Sequence, residues 1–126
     1  MLVVTRYRVP ADDAVSFRDR ARVALDALAA RPGWLAGHIG RATDDPTLWV
    51  MTSEWVNVGS YRRALSAYQV KVDAVPLLSL AIDEPTAFEL LTSTEFSDRA
   101  ADADDVGLGQ AAAPIVPTDL DPRDFR

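Results

Sequence analysis

At 126 residues, 48% hydrophobic and 25% charged, the chain has the length of one domain with a modest core. It contains no cysteine, which excludes disulfides, thiolate nucleophiles and cysteine-held zinc or iron–sulfur centres. The formal charge of −6 offers no basic surface for nucleic acid, and eight acids against three bases fall in residues 93–126, compared with 11 against ten in 1–92.

Leu2 to Val9 alternates, with Val3, Thr5, Tyr7 and Val9 on one face and Leu2, Val4, Arg6 and Arg8 on the other, which predicts a strand. Pro10 stops it, and Asp12 is expected to cap the helix that follows, with Asp13 favourable near its positive end. In that helix Phe17, Ala21, Ala24 or Leu25, and Leu28 form one apolar stripe. Arg31-Pro32-Gly33 ends the helix and opens a second strand. A turn at Thr43-Asp44-Asp45-Pro46 leads into a third strand, Thr47 to Val56, where Trp49, Met51 and Trp55 point one way and Leu48, Val50 and Val56 the other. A second helix is expected from Asn57, presenting Tyr61, Ala64, Leu65, Tyr68 and Val72 on one face. A short proline-led helical turn over 76–81 and a last strand from Thr86 to Thr92 complete the pattern.

A hairpin between two amphipathic helices, with strands at either end, predicts a ferredoxin-like β-α-β-β-α-β domain over residues 1–92, of class α+β with an antiparallel sheet. Residues 93–126 form an acidic Pro/Ala/Asp-rich C-terminal tail, read as disordered or draped over a partner subunit. Two helices cover only one face of such a sheet, so the apolar second face predicts a homodimer paired face to face. The apolar start ends at Arg6, too short for a signal peptide, and the run from Ala74 to Ile82 is broken by Pro76 and Ser79. No membrane partner is expected, and the expected location is the cytoplasm.

Few residues carry recognisable chemistry. His38 is the one histidine and reads as a structural or surface residue, so neither a histidine metal cluster nor a Ser-His-Asp arrangement is indicated. Gly37 and Gly40 lie inside a strand and make no phosphate loop. No metal and no cofactor is expected. The remaining candidates are aromatic. Thr5 and Tyr7 share a strand face, Tyr61 and Tyr68 a helix face, and with Trp49 they are expected to line one cavity between helices and sheet. Phe17 and Trp55 read first as core and second as ring-binding walls.

The sequence PGW…LW…SEW…SY between Pro32 and Tyr61 resembles the antibiotic biosynthesis monooxygenase family of dimeric α+β barrels, over roughly Leu2 to Thr92. That family includes quinol and polyketide oxygenases, haem degraders and isomerases. The resemblance implies a cofactor-independent monooxygenase acting on a small aromatic, quinol or polyketide-type substrate; the cavity read from the strand and helix faces would serve it with Tyr68 and Thr5 as catalytic hydroxyls and Tyr7, Phe17, Trp49, Trp55 and Tyr61 binding the substrate. The haem-degrading branch implies Asn near Thr5, Trp near Ala64 and His near Asp73, none of which is present. A non-catalytic ligand-binding dimer, or an isomerase or cyclase on the same barrel, is the alternative.

Overall fold

Alternation in the first strand, β1 (Leu2–Arg8), buries Val3, Thr5 and Tyr7 and leaves Leu2, Val4 and Arg6 on the opposite face. This is a computed structural model that describes Met1–Thr94, of which Met1–Leu91 form one compact unit. The expectation of an acidic tail concerns residues that, Ser93 and Thr94 aside, lie outside the described ones. Four strands form one antiparallel sheet in the order β2-β3-β1-β4, with β2 at Trp34–Ala42, β3 at Asp45–Trp55 and β4 at Ala87–Phe88. With its helices the chain has the ferredoxin-like α+β fold.

Helix α1 (Ala14–Ala29) packs on β2 and buries Phe17, Ala21, Ala24, Ala27 and Leu28, the stripe its spacing predicts. Its entry differs from expectation. A 3-10 turn over Ala11–Asp13 precedes it, the Pro10 carbonyl accepts from the Asp13 N–H at 2.9 Å, and neither Asp12 nor Asp13 makes a side-chain cap. The backbone turn supplies the acceptor that a capping carboxylate would otherwise provide.

The helix expected from Asn57 through Val72 is two helices. Asn57 caps α2 (Val58–Ser66) as predicted, its side-chain oxygen accepting from the Ser60 N–H at 2.9 Å. Ala67 is then extended, at φ −71° and ψ 141°, before α3 (Tyr68–Asp73) begins. The Ser66 hydroxyl bonds back to the Arg62 carbonyl, a habit that loosens helical turns. The break rotates the chain so that Val70, Ala74 and Leu77 enter the core, and Tyr68 and Val72 turn outward. Burying three tightly packed aliphatic groups outweighs continuing one helix. Pro76 sits at the start of α4 (Val75–Leu78), where its missing N–H is harmless.

Two strand boundaries are also corrected. The hairpin loop is shorter than expected because β3 begins at Asp45, whose carboxylate accepts from the Thr47 N–H at 3.1 Å and the Thr47 hydroxyl at 2.8 Å. Strand β4 has two residues where seven were expected: Phe88 pairs with Leu2, so Glu89 already passes the end of β1. Gly33, at φ +92°, turns the chain from α1 into β2 where a Cβ would collide with Ser60 at the start of α2.

Before β4 the chain runs along β1. The Ile82 N–H donates to the Arg6 carbonyl at 2.8 Å and the Val4 N–H to the Thr86 carbonyl at 2.7 Å. Between them Arg6 grips Glu84 through two bonds of 2.8 Å. Hydrogen bonding from Arg6 holds the Glu84 carboxyl below its ordinary range, more than desolvation raises it. A carboxyl lowered in the folded state contributes stability above its unfolded-state pKa and loses it as pH falls through the folded one. Glu84→Gln is therefore expected to lower the urea midpoint at neutral pH, with the gap from wild type closing in acid; a gap that persists at acidic pH would show that the ion pair is not its source.

Candidate functional site

Tyr7, Trp49 and Arg41 stand side by side across β1, β3 and β2, because the strand register pairs Tyr7 with Trp49 and Trp49 with Arg41 on the helix-covered face. Phe17 of α1 lies over this row. Its ring centroid is 5.1 Å from that of Tyr7 and 5.3 Å from that of Trp49, the latter edge to face. The Arg41 guanidinium sits 5.3 Å from the Trp49 ring centre, at cation–π distance.

A cleft of about 340 Å³ opens beside Tyr7 and Phe17, between the end of β1 and the first turns of α1. Val9, Pro10 and Leu80 add apolar walls, and Asp13, Ser16 and Arg20 line the α1 side. Two aromatic side chains and an apolar wall, faced by Arg8, Asp13, Ser16 and Arg20, suit a small organic molecule that carries polar groups. Arg8, also at the cleft, is held by Asp45 at 2.7 Å.

The Tyr7 hydroxyl does not point into open volume. It is buried, donates to Thr5 Oγ1 at 2.8 Å, and Thr5 Oγ1 donates onward to the Met51 carbonyl at 3.3 Å. Residues two apart on a strand share a face, which brings the two hydroxyls together. Burial pushes the Tyr7 phenol above its ordinary pKa, the bond to Thr5 opposes this, and the neighbouring Tyr61 phenol adds to the rise. The phenol therefore stays protonated at neutral pH.

Trp49 is only 5% exposed, and its Nε1 is the one buried side-chain nitrogen or oxygen without a hydrogen-bond partner among the described residues. An indole N–H left so costs about 1–3 kcal/mol. Trp55, by contrast, is fully buried and donates from Nε1 to Ser53 Oγ at 2.9 Å. It packs between Trp34 and Tyr61, at centroid distances of 5.4 and 5.6 Å, and borders no part of this cleft.

The expected set is thus divided. Thr5, Tyr7, Phe17 and Trp49 come together, but only Tyr7 and Phe17 line the cleft; Thr5 and Trp49 are buried behind them, Tyr61 is near enough to influence Tyr7 without bordering the cleft, and Trp55 belongs to the adjoining cluster. Tyr68 does not join them. It is 79% exposed at the start of α3, because the extended Ala67 breaks the phase that would have aligned it with Tyr61. His38 lies on the other face of the sheet, opposite Thr52. The expectation omitted Asp13, Ser16 and Arg20, although their spacing around Phe17 puts all four on one side of a helix. Among the described residues, no group of three or more His, Cys, Asp or Glu side chains is placed to hold a metal ion.

The sheet order, the helices on one face and the aromatic cleft define an α+β protein of the ferredoxin-like type with a small-molecule-sized site. The family model for antibiotic biosynthesis monooxygenase matches residues 1–72, more than half of the chain, and the chain belongs to that family. No curated protein matches it. Among solved structures it is similar to SnoaB, a cofactor-independent oxygenase from Streptomyces nogalater, at 24% identity and TM-score 0.57, covering 73% of this chain and 96% of that one. A Deinococcus radiodurans protein proposed to be an antibiotic biosynthesis monooxygenase superposes with TM-score 0.61 at 18% identity, covering 77% and 99%. A conserved protein from Methanosarcina mazei gives 0.56 at 21% identity, covering 68% and 84%. At these identities the likeness establishes the fold.

The hydroxyl chain has a measurable signature. Tyr7→Phe removes a donor and leaves Thr5 bonded to the Met51 carbonyl, so a loss of about 1 kcal/mol is expected. Thr5→Val deprives the buried Tyr7 hydroxyl of its acceptor and is expected to cost more, about 1–3 kcal/mol. Equilibrium urea unfolding of both variants checks the order, and equal losses would show that the Tyr7 hydroxyl finds another partner.

Proposed function

We propose that this protein is a cofactor-independent monooxygenase, a cytoplasmic homodimer acting on a small aromatic, quinol or polyketide-type molecule. The observation that carries the reading is the cleft floored by Tyr7 and Phe17, in a chain of the antibiotic biosynthesis monooxygenase family. A flat ring lies against those two side chains. Its deprotonated form is electron-rich enough to reduce dioxygen directly. For an anthrone-type carbon, one oxygen atom becomes the new carbonyl, and the other leaves as water with the two hydrogens that the carbon carried. The protein binds the ring, holds the oxyanion with preorganised donors and excludes water. Tyr7 stays protonated and Thr5 fixes its orientation, so their part is to position the aromatic floor, not to abstract the proton.

The dimer reading rests on the sheet face away from the helices, where Leu2, Val4, Leu48 and Val50 are half-buried and Phe88 is exposed. A second copy laid on that face removes this apolar surface from water. Light scattering at micromolar concentration is expected to give twice the chain mass, and Val50→Asp is expected to halve it. A monomeric wild type would overturn the dimer.

Oxygen uptake measured with a panel of anthrones and hydroquinones tests the reaction. Consumption of one dioxygen per quinone formed, abolished by filling the cleft with Leu80→Trp, is the expected result. Tight binding of the same compounds with no uptake would favour a ligand-binding protein, and product formation without uptake an isomerase or cyclase.

A further inference from the structure

We infer that Trp49 Nε1 is the hydrogen-bond donor for the oxyanion of the aromatic ligand, reached when the Phe17 ring turns aside, and that Arg41 selects the anionic form. The inference rests on the proposed aromatic-ligand reading and names the atoms that would recognise the charge. Its starting point is the contrast between two buried indoles in one sheet. Trp55 Nε1 has Ser53 two residues away as a built-in acceptor, whereas Trp49 Nε1 has none. A buried donor without a protein partner calls for an acceptor from outside the chain, and a ligand oxygen can supply one.

Two further observations say what that acceptor is and how it comes. Phe17 is shared: it borders the cleft, which Trp49 does not, and its ring meets the Trp49 indole edge to face, so it stands between ligand space and that indole. A phenylalanine turning about its first side-chain torsion exchanges this contact for one with a bound ring. Arg41 over the indole face then sets the sign. A cation at that distance draws density from the ring, makes the N–H a stronger donor, and lowers the energy of a negative oxygen placed beside it. The ligand class is a planar phenolate or enolate, the form in which such a ring reacts with dioxygen.

The test needs no turnover. The probes are a hydroxynaphthoquinone that is anionic at neutral pH and its neutral methyl ether, titrated into wild type, Trp49→Phe, Arg41→Gln and Phe17→Ala by calorimetry. Wild type is expected to prefer the anion by about tenfold or more, the worth of one charge-assisted hydrogen bond. In Trp49→Phe most of that preference is expected to be lost, the remainder being the attraction of Arg41 and of the cleft's Arg8 and Arg20, while the ether binds as before, a split that loss of packing would not produce. Arg41→Gln is expected to reduce the preference in part, and Phe17→Ala to keep it. In wild type, the Trp49 indole N–H proton resonance is expected to move downfield with the anion and not with the ether, a readout independent of any variant's folding. A preference retained in Trp49→Phe, an unmoved indole resonance at saturation, or failure of both probes to bind would each overturn the assignment. Oxygen uptake with a preference retained in Trp49→Phe would leave the reaction standing and remove the donor; anion preference lost in Trp49→Phe with no oxygen uptake would do the reverse.

Discussion

Strand β3 is paired on both sides, and its alternation decides what the rest of the domain must cover. Trp49, Met51, Ser53 and Trp55 all project to one face. Two indoles and a thioether on one face are more apolar bulk than a strand can leave in water, so α1 to α4 must collect there. The neighbouring strands inherit the choice through register: Tyr7 and Val3 from β1, Ile39 and Trp34 from β2, fall on the same side because they oppose buried members of β3. A slip by one residue would present Leu48, Val50, Thr52 and Glu54 to the helices, and Glu54 has no place in such a core.

Much of this was legible in the residues. The period of two in Leu2–Arg8 and in β3, and the three-and-four spacing of Phe17, Ala21, Ala24 and Leu28, name their elements and their buried faces. What escaped was set by contacts distant in sequence. Ala67 carries no signal of a break, and only the packing of Val70, Ala74 and Leu77 explains why the helix restarts in a new phase. The length of β4 depends on where β1 ends in the paired register, which no local pattern records. At the site, the strand alternation placed Thr5, Tyr7 and Trp49 on one face, and of the aromatic residues named only Tyr7 and Phe17 line the cleft. The direction of the Tyr7 hydroxyl toward Thr5, and the meeting of Arg41 with Trp49 across a strand that shifts register nearby, are properties of the assembled sheet.

The aromatic row and the cleft beside it also divide the labour between rigid and yielding parts. Tyr7 is fixed at both ends, by its hydroxyl bond and by the strand that carries it. Phe17, on α1, makes no hydrogen bond through its side chain and is held by ring and other apolar contacts. Ring contacts are individually weak and tolerate exchange for similar ones, whereas a buried hydroxyl bond does not. Any rearrangement of the cleft therefore belongs to its helix side, with the sheet side as a fixed template.

The irregularities of β2 bear on a different matter, the behaviour of this domain in a crowded solution. Among the described residues β2 is the outer strand on its side of the sheet, and its pairing with β3 shifts register near both ends, between Trp34 and Ala36 and between Arg41 and Ala42. Each shift bends the strand and shortens the straight stretch of backbone that another chain would need in order to add on. The opposite border is guarded otherwise, by a strand only two residues long. A sheet with so much apolar surface thus carries, in its two outermost strands, a built-in resistance to edge-to-edge aggregation.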